Sequence, residues 1–285
     1  LDIRKINVSA MQMEPRVLHQ FVRGIDLALH EWPGEGPTIL LCHATGFHAR
    51  CWDRVVARLP ERHVIAVDFR GHGLSEKIPP PCAWRTFGED LALLTKQLEL
   101  KQTKAVGHSM GGHSLVLAAA LNPGAFSALL LLDPVILPPG HYVGPEPPLE
   151  FVLHRRNEWP SADAMFERFK SRAPFQSWDP AVLRDYCDHA LDGTKLACPP
   201  DVEASIYANC NAPESDISAE LARVATPARV VRSGTPYTYG AFAGSPTDPA
   251  LATRLARGTD EWRRELSHFI PMEGPSLTAQ LILSL

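Results

Sequence analysis

The sequence predicts an α/β fold: a mostly parallel sheet flanked by helices, with a helical cap inserted into it. Three observations carry this. Short β-rich runs alternate with helical ones through the first third, the grammar of βαβ units and of a sheet buried on both faces. Each run closes on a loop rich in Gly, His, Asp or Thr, at the carboxyl edge where open α/β sheets hold ligands. From Val135 a cluster of prolines breaks the alternation, and strand character returns only at Ala228.

The elements follow in order. Thr38 to Cys42 reads as a strand, Cys51 to Leu59 as helical, and His63 to Val67 as the next strand. Thr86 to Glu99 is helical, Thr103 to Val106 a strand, Gly111 to Leu121 a helix stopped by Asn122-Pro123-Gly124, and Ala128 to Leu132 a strand. Pro138, Pro139, Pro145, Pro147 and Pro148 then interrupt the pattern, and helical periodicity runs from about Leu149 to Ala190. A second proline-marked stretch, 199–213, leads to the strand Ala228 to Arg232. These boundaries divide the chain into a core, 1–134 and 216–285, and a cap, 135–215. No internal repeat is present.

A chain of 285 residues is long enough to bury a large core. With 28 Lys and Arg against 32 Asp and Glu, the formal net charge is −4 and no long run of either sign occurs, so a nucleic-acid partner is not expected. The short basic run His154-Arg155-Arg156 reads as a solvated helix face. Six cysteines are scattered without zinc-ligand spacing, which fits a reducing cytoplasm and no metal site. The densest apolar run, Ala128 to Leu132, ends at Asp133, well short of the roughly 18 to 20 residues of a membrane span. The first residue is Leu1, which reads as a trimmed or processed start.

The most informative segment is Gly107-His108-Ser109-Met110-Gly111, a Gly-x-Ser-x-Gly between an expected strand and an expected helix. A strand that turns into a helix at one residue strains that residue and crowds its neighbours, so small residues are needed two positions to either side. The turn would expose Ser109 at the sheet edge as a nucleophile, with helix-terminal N–H groups facing a developing negative charge. The alternative is a glycine-rich turn with an inert serine.

A serine hydroxyl needs a base to become nucleophilic. Of twelve histidines, His268 lies near the C-terminus ahead of an expected final helix and fits the chain order of nucleophile, acid and histidine. His108 is expected to brace the turn, and His43, His72 and His113 to be structural. The strand Ala228 to Arg232 is followed by Ser233-Gly234-Thr235-Pro236-Tyr237-Thr238-Tyr239-Gly240, without the carboxylate expected there. Asp133, which ends the preceding sheet strand, Leu129 to Leu132, is the candidate acid, with Asp248 as fallback. Asp68 is expected to fix the turn of Asp68-Phe69-Arg70-Gly71-His72-Gly73. A tetrahedral oxyanion needs two preorganised donors. One should be the amide of Met110, and the other Thr45, with Gly46 next, in the loop His43-Ala44-Thr45-Gly46-Phe47.

Together these segments, with Ser267-His268-Phe269-Ile270-Pro271, resemble the α/β-hydrolase family in its esterase, haloperoxidase and meta-cleavage hydrolase branch, over nearly the whole chain. The resemblance implies Ser109 as nucleophile, His268 as base, Met110 and Thr45 as oxyanion donors, and residues 135–215 as a lid. Two features depart from the family pattern: His43-Ala44 stands in place of the usual His-Gly, and no carboxylate follows the late strand. Some members carry the acid one strand earlier, which matches Asp133. A serine at the turn argues against haloalkane dehalogenase and typical epoxide hydrolase chemistry, which use an aspartate.

No nicotinamide, flavin or metal motif occurs, so cofactor-free chemistry is expected. The expected activity is hydrolysis of carboxylic esters or related acyl compounds. Phe151, Trp159, Phe166, Phe169, Phe175 and Trp178 of the cap, with Phe47 and Trp52 of the core, divide between packing and an apolar pocket. Phe47, Trp52 and Trp159 are the expected substrate contacts, for a small to medium apolar molecule. The alternatives are carbon–carbon bond hydrolysis of a diketone by the same residues, and a ligand receptor on a hydrolase scaffold.

Overall fold

The computed structural model describes residues 14–236, 238 and 241–285. Tyr237, Tyr239 and Gly240 of the stretch after the late strand lie outside them, as does Leu1.

Strands β1 (Arg16–Val22), β2 (Ile25–Trp32), β3 (Glu35–Cys42) and β4 (Arg62–Val67) open the chain, with the short helix α1 (Asp53–Val56) before β4. Helix α2 (Trp84–Gln97), β5 (Thr103–His108), α3 (Met110–Leu121) and β6 (Phe126–Leu132) follow. Between β6 and β9 (Ala228–Ser233) the chain inserts α4 (Glu150–Leu153), α5 (Ala162–Phe169), α6 (Pro180–His189), a small hairpin of β7 (Leu191–Asp192) and β8 (Lys195–Leu196), then α7 (Pro200–Ala208) and α8 (Ser218–Leu221). The chain ends with α9 (Leu251–Arg254), β10 (Gly258–Arg263), α10 (Ile270–Glu273) and α11 (Pro275–Leu283).

Eight strands form one sheet in the order β1-β2-β4-β3-β5-β6-β9-β10. The pairs β1·β2 and β2·β4 are antiparallel, and the rest are parallel. The expected strands are all present. The hairpin β1·β2 adds an antiparallel edge that the sequence reading did not include, and β10, whose sequence Gly-Thr-Asp-Glu-Trp-Arg has no apolar alternation, adds the other edge.

Side chains alternate across the sheet, so each strand feeds two cores. Leu40, Cys42, Ala105, Leu129, Leu131 and Val230 face α2 and α3. Ile39, Leu41, Val106, Leu130, Leu132 and Val231 face α1 and α11. Helix α3 is buried from Met110 to Ala120, which explains its lack of a polar face. The expected continuous helical run after Leu149 is instead broken into short helices, because Pro160, Pro174 and Pro180 interrupt it and Asp179 and Ser161 cap new starts. The insertion builds a third core around Trp159, Met165, Trp178, Val182 and Tyr186, which closes on Phe47 and Phe269. Among the described residues no helix is long and apolar enough to cross a membrane.

Candidate active site

The parallel strands share one direction, so the loops after β3, β4, β5, β6 and β9 converge at their carboxyl ends. Strand β5 ends at His108, α3 begins at Met110, and the residue between them, Ser109, has φ 57° and ψ −118°. Such a conformation costs a non-glycine residue about 1–3 kcal/mol and persists only where its surroundings impose it. Here the Ser109 amide donates to the Leu132 carbonyl at 3.0 Å, and its own carbonyl accepts from Gly112 and His113 at 3.0 and 3.2 Å. Close packing accounts for both flanking glycines. A methyl at Gly107 would lie 2.5 Å from the Gly111 carbonyl oxygen, and one at Gly111 would run into the Cys42 carbonyl.

His268 follows β10 and reaches this turn. Its Nε2 lies 3.0 Å from Ser109 Oγ, and its Nδ1 lies 2.9 Å from Asp133 Oδ2. The carboxylate accepts the Nδ1 proton, leaving the Nε2 lone pair facing the serine hydroxyl. The backbone of His268 is fixed as well: His108 Nε2–H donates to its carbonyl at 2.8 Å, and its amide donates to Ala243 at 2.9 Å. His108 therefore braces the site, as the sequence reading expects.

Asp133 is fully buried at the end of β6. It accepts from the Ser233 amide at 3.2 Å and hydroxyl at 2.7 Å, from Thr247 at 3.2 Å, and from the Ser245 hydroxyl. Burial alone would push this carboxyl up. The hydrogen bond and charge of His268 and the hydroxyls of Ser245 and Ser233 outweigh it, holding the group below the usual carboxylate range. Ser233 and Ser245 were not anticipated as site residues. Ser233, which opens the stretch without a carboxylate, and Ser245 and Thr247 beyond it supply hydroxyl donors to Asp133, and a second acid there would repel it. Asp248 does not reach His268: it accepts from the Ala250 amide and pairs with Arg254, each at 2.8 to 2.9 Å.

The loop after β3 stands opposite. Thr45 Oγ1 donates to Met110 Sδ at 3.5 Å, bringing the two expected oxyanion donors together. Gly46 is excluded from that role, since its amide donates to His72 Nε2 at 3.1 Å. His72 Nδ1–H in turn donates to the Arg70 carbonyl at 2.9 Å, which fixes the tautomer that leaves Nε2 as acceptor. Burial lowers His72 to about 4, so the ring is neutral. His43 is tied the same way, between the Ala44 carbonyl and the Phe69 amide, and Asp68 fixes its turn through Ala49, Leu74 and His30.

Ser109 and His268 open onto a cavity of about 70 Å³ walled by Ala44, Thr45, Phe47, Val135, Tyr207 and Phe242. A second chamber of about 270 Å³ shares Thr45, Phe47, Tyr207, Phe242 and Phe269 with it and continues beneath the insertion to Phe151, Phe169, Phe175 and Trp178. Phe47 thus stands where the two meet. Two expected contacts are corrected. Trp52 packs with Trp32, Leu41 and Val55 in the core on the α1 face, because it lies on the short helical turn beneath the sheet edge. Trp159 lines neither chamber; it packs edge-on against Phe169 and under the Arg156 guanidinium within the insertion. Arg155 is corrected too: it turns inward onto Glu203 instead of facing solvent. All six cysteines are buried and unpaired. Among the described residues no group of three or more His, Cys, Asp or Glu could hold a metal ion.

Several known proteins are similar to this chain. It is 28% identical over 214 residues to the type I acyl-CoA thioesterase mpaH of Penicillium roqueforti, covering 68% of this chain and 48% of that one. It is 32% identical over 176 residues to the lipase LipV of Mycobacterium tuberculosis, covering 61% and 64%. The chain thus spans about half the length of the thioesterase and under two thirds of the lipase. In fold it matches the thioesterase domain from the curacin biosynthetic pathway, with a TM-score of 0.74 and 16% identity over 96% of this chain and 100% of the other. The sequence pattern of the Alpha/beta hydrolase family extends over residues 39–281, and the chain belongs to that family.

Proposed function

We propose that this chain is a serine hydrolase that cleaves carboxylic esters or related acyl compounds, thioesters included, of small to medium apolar substrates through an acyl-enzyme. The observation that carries the reading is the unbroken relay from Ser109 through His268 to Asp133, with both hydrogen bonds at 3.0 Å or less on the wall of a cavity. Ser109 Oγ attacks the carbonyl carbon as His268 Nε2 takes its proton, and Asp133 stabilises the imidazolium. The amides of Met110 and Thr45 receive the oxyanion. His268 then hands the proton to the departing alkoxide or thiolate, leaving Ser109 acylated. In the second half His268 activates water, which releases the acid and restores the serine.

The paired chambers support an extended apolar substrate, with the reacting carbonyl at Ser109 and one side chain beneath the insertion. On this reading residues 135–215 act as a cap over a core made of 1–134 and 216–285, and Phe47 contacts substrate where the chambers meet. The printed activities of the relatives, an acyl-CoA thioesterase and a lipase, agree in acyl transfer to water.

The test is initial-rate hydrolysis of p-nitrophenyl esters from acetate to octanoate, their thioester analogues, and a vinylogous diketone. Ester or thioester turnover rising with chain length is expected. Turnover of the diketone alone would move the reaction to carbon–carbon cleavage. Ligand-induced stabilisation with no turnover would make the protein a receptor.

A further inference from the structure

One buried ion pair outside the triad touches the oxyanion loop. Arg155 follows α4, and Glu203 lies in the first turn of α7, so both belong to the insertion. Glu203 is 5% exposed, and its two oxygens have different neighbours. Oε2 accepts from Arg155 Nη1. Oε1 lies against Gly46, where an added methyl would stand 2.5 Å from it. Gly46 also has φ 78°, and its neighbour is Thr45, the donor assigned above.

A carboxylate in this position is a hazard for the reaction. The transition state gathers negative charge on an oxygen held by the loop, in a cavity with few polar groups to screen it. An uncompensated Glu203 would oppose that charge. The other titratable side chains around the pair carry no charge: burial pushes Tyr186, Tyr207 and Cys198 up and lowers His48 and His72 to about 4. Arg155 is therefore the counter-charge among these neighbours. Burial works against its cation, and the Glu203 charge, with a hydrogen bond to the neutral Tyr186 hydroxyl, outweighs that effect.

We propose that Arg155 is a positioning residue for the reaction: it neutralises Glu203 where that carboxylate presses on Gly46, and so ties the cap to the oxyanion loop without placing a net negative charge beside the oxyanion. The proposal rests on the serine hydrolase reading. It separates two effects that a packing role would merge. Losing the cation alone leaves the harmful charge in place, whereas losing both charges removes it.

The experiment measures kcat and KM on p-nitrophenyl butyrate, and the second-order rate of fluorophosphonate labelling, for wild type, Arg155→Met, Arg155→Lys and the double variant Arg155→Met/Glu203→Gln. Circular dichroism melting establishes that each is folded. Arg155→Met is expected to lose about 10- to 100-fold in kcat and in labelling rate, the scale of an impaired oxyanion site. Arg155→Lys should keep more activity than Arg155→Met, and the double variant should regain at least about tenfold over Arg155→Met. If Arg155→Met does not fold, the comparison of Arg155→Lys and the double variant with wild type carries the test: a double variant slower than about one hundredth of wild type overturns the proposal. A double variant as slow as a folded Arg155→Met, or losses confined to KM, also overturn it. A wild type that neither labels nor turns over ester removes the hydrolase reading and the proposal with it; a reactive wild type without rescue removes the proposal alone.

Discussion

The sheet edge and the inserted segment are built on opposite principles. At the sheet edge Ser109, His268 and Asp133 are each held by several polar partners: Asp133 alone accepts from four residues, His268, Ser233, Ser245 and Thr247. The chamber under the insertion is held by ring packing, with Phe175 and Tyr186 each in contact with Phe169, Trp178 and one another. Hydrogen bonds have narrow distance and angle limits, so losing one at the edge disables a site. Apolar packing has no such directional limits, so losing one ring reshapes a pocket rather than disabling it. Chemistry should therefore be brittle and selectivity tunable in this protein.

The largest expected effect tests the brittle half. Asp133→Asn should lower kcat by about 10³- to 10⁴-fold, because the amide favours the wrong imidazole tautomer. Asp248→Asn should leave kcat within about twofold and lower the melting temperature through the lost Arg254 pair. Equal kcat losses in the two variants would break the assignment of the acid. Next comes His72→Ala, which frees the Gly46 amide. It should lower kcat about tenfold with little change in KM, since a misplaced donor weakens transition-state binding more than substrate binding.

The tunable half should answer in KM. Phe175→Ala and Phe47→Ala should raise KM for octanoyl more than for acetyl esters, by about 5- to 30-fold at most, following roughly 1–2 kcal/mol of lost ring burial. A Phe175→Ala variant that lost kcat on acetyl esters would contradict the division. The smallest effect is expected at Trp52. Trp52→Phe should cost about 1–2 kcal/mol of stability and leave KM unaltered, as a core residue would.

Acid stability gives an independent check on how the site is held. Burial lowers His43 and His108 to about 3 and His48, His72 and His113 to about 4, against about 6.5 in an unfolded chain. Between those values the unfolded chain binds more protons, so this stabilisation is present above about pH 6.5 and is lost as pH falls toward 4 and 3. Asp133, lowered below the usual carboxylate range, adds a further loss below about pH 4. Asp185, raised by burial to about 6 despite its Arg54 partner, acts in the opposite sense over pH 4 to 6. A melting temperature that falls steadily from pH 6.5 to 4 is expected, and a flat profile would contradict neutral, buried histidines.

The same division governs what could be read from sequence. That Ser109, His268 and Asp133 meet was legible because strained turns demand particular residues: Gly107 and Gly111 around Ser109, and a histidine beyond the late strands. The acid could be placed on Asp133 by its position at a strand end, but Ser233 and Ser245 carry no pattern of their own until the sheet brings them to it. Hairpin β1·β2 carries a signal in its Arg23-Gly24 turn between Val22 and Ile25, both turn residues at positive φ. Strand β10 had none. In core and insertion alike, composition shows aromatics but not which of them face the chambers, so Trp52 and Trp159 are expected at substrate while Tyr207 and Phe242 are not. Arg155 illustrates the limit most clearly: its partner lies 48 residues away, and only folding shows that a basic run points one member inward.

The most direct measurement is intact-mass analysis after reaction with a fluorophosphonate, comparing wild type with Ser109→Ala and His268→Ala. One adduct per wild-type chain is expected, absent in Ser109→Ala and slowed by at least about a thousandfold in His268→Ala. Folded wild type that stays unlabelled, or a Ser109→Ala variant that labels as fast, would contradict an activated serine at this turn.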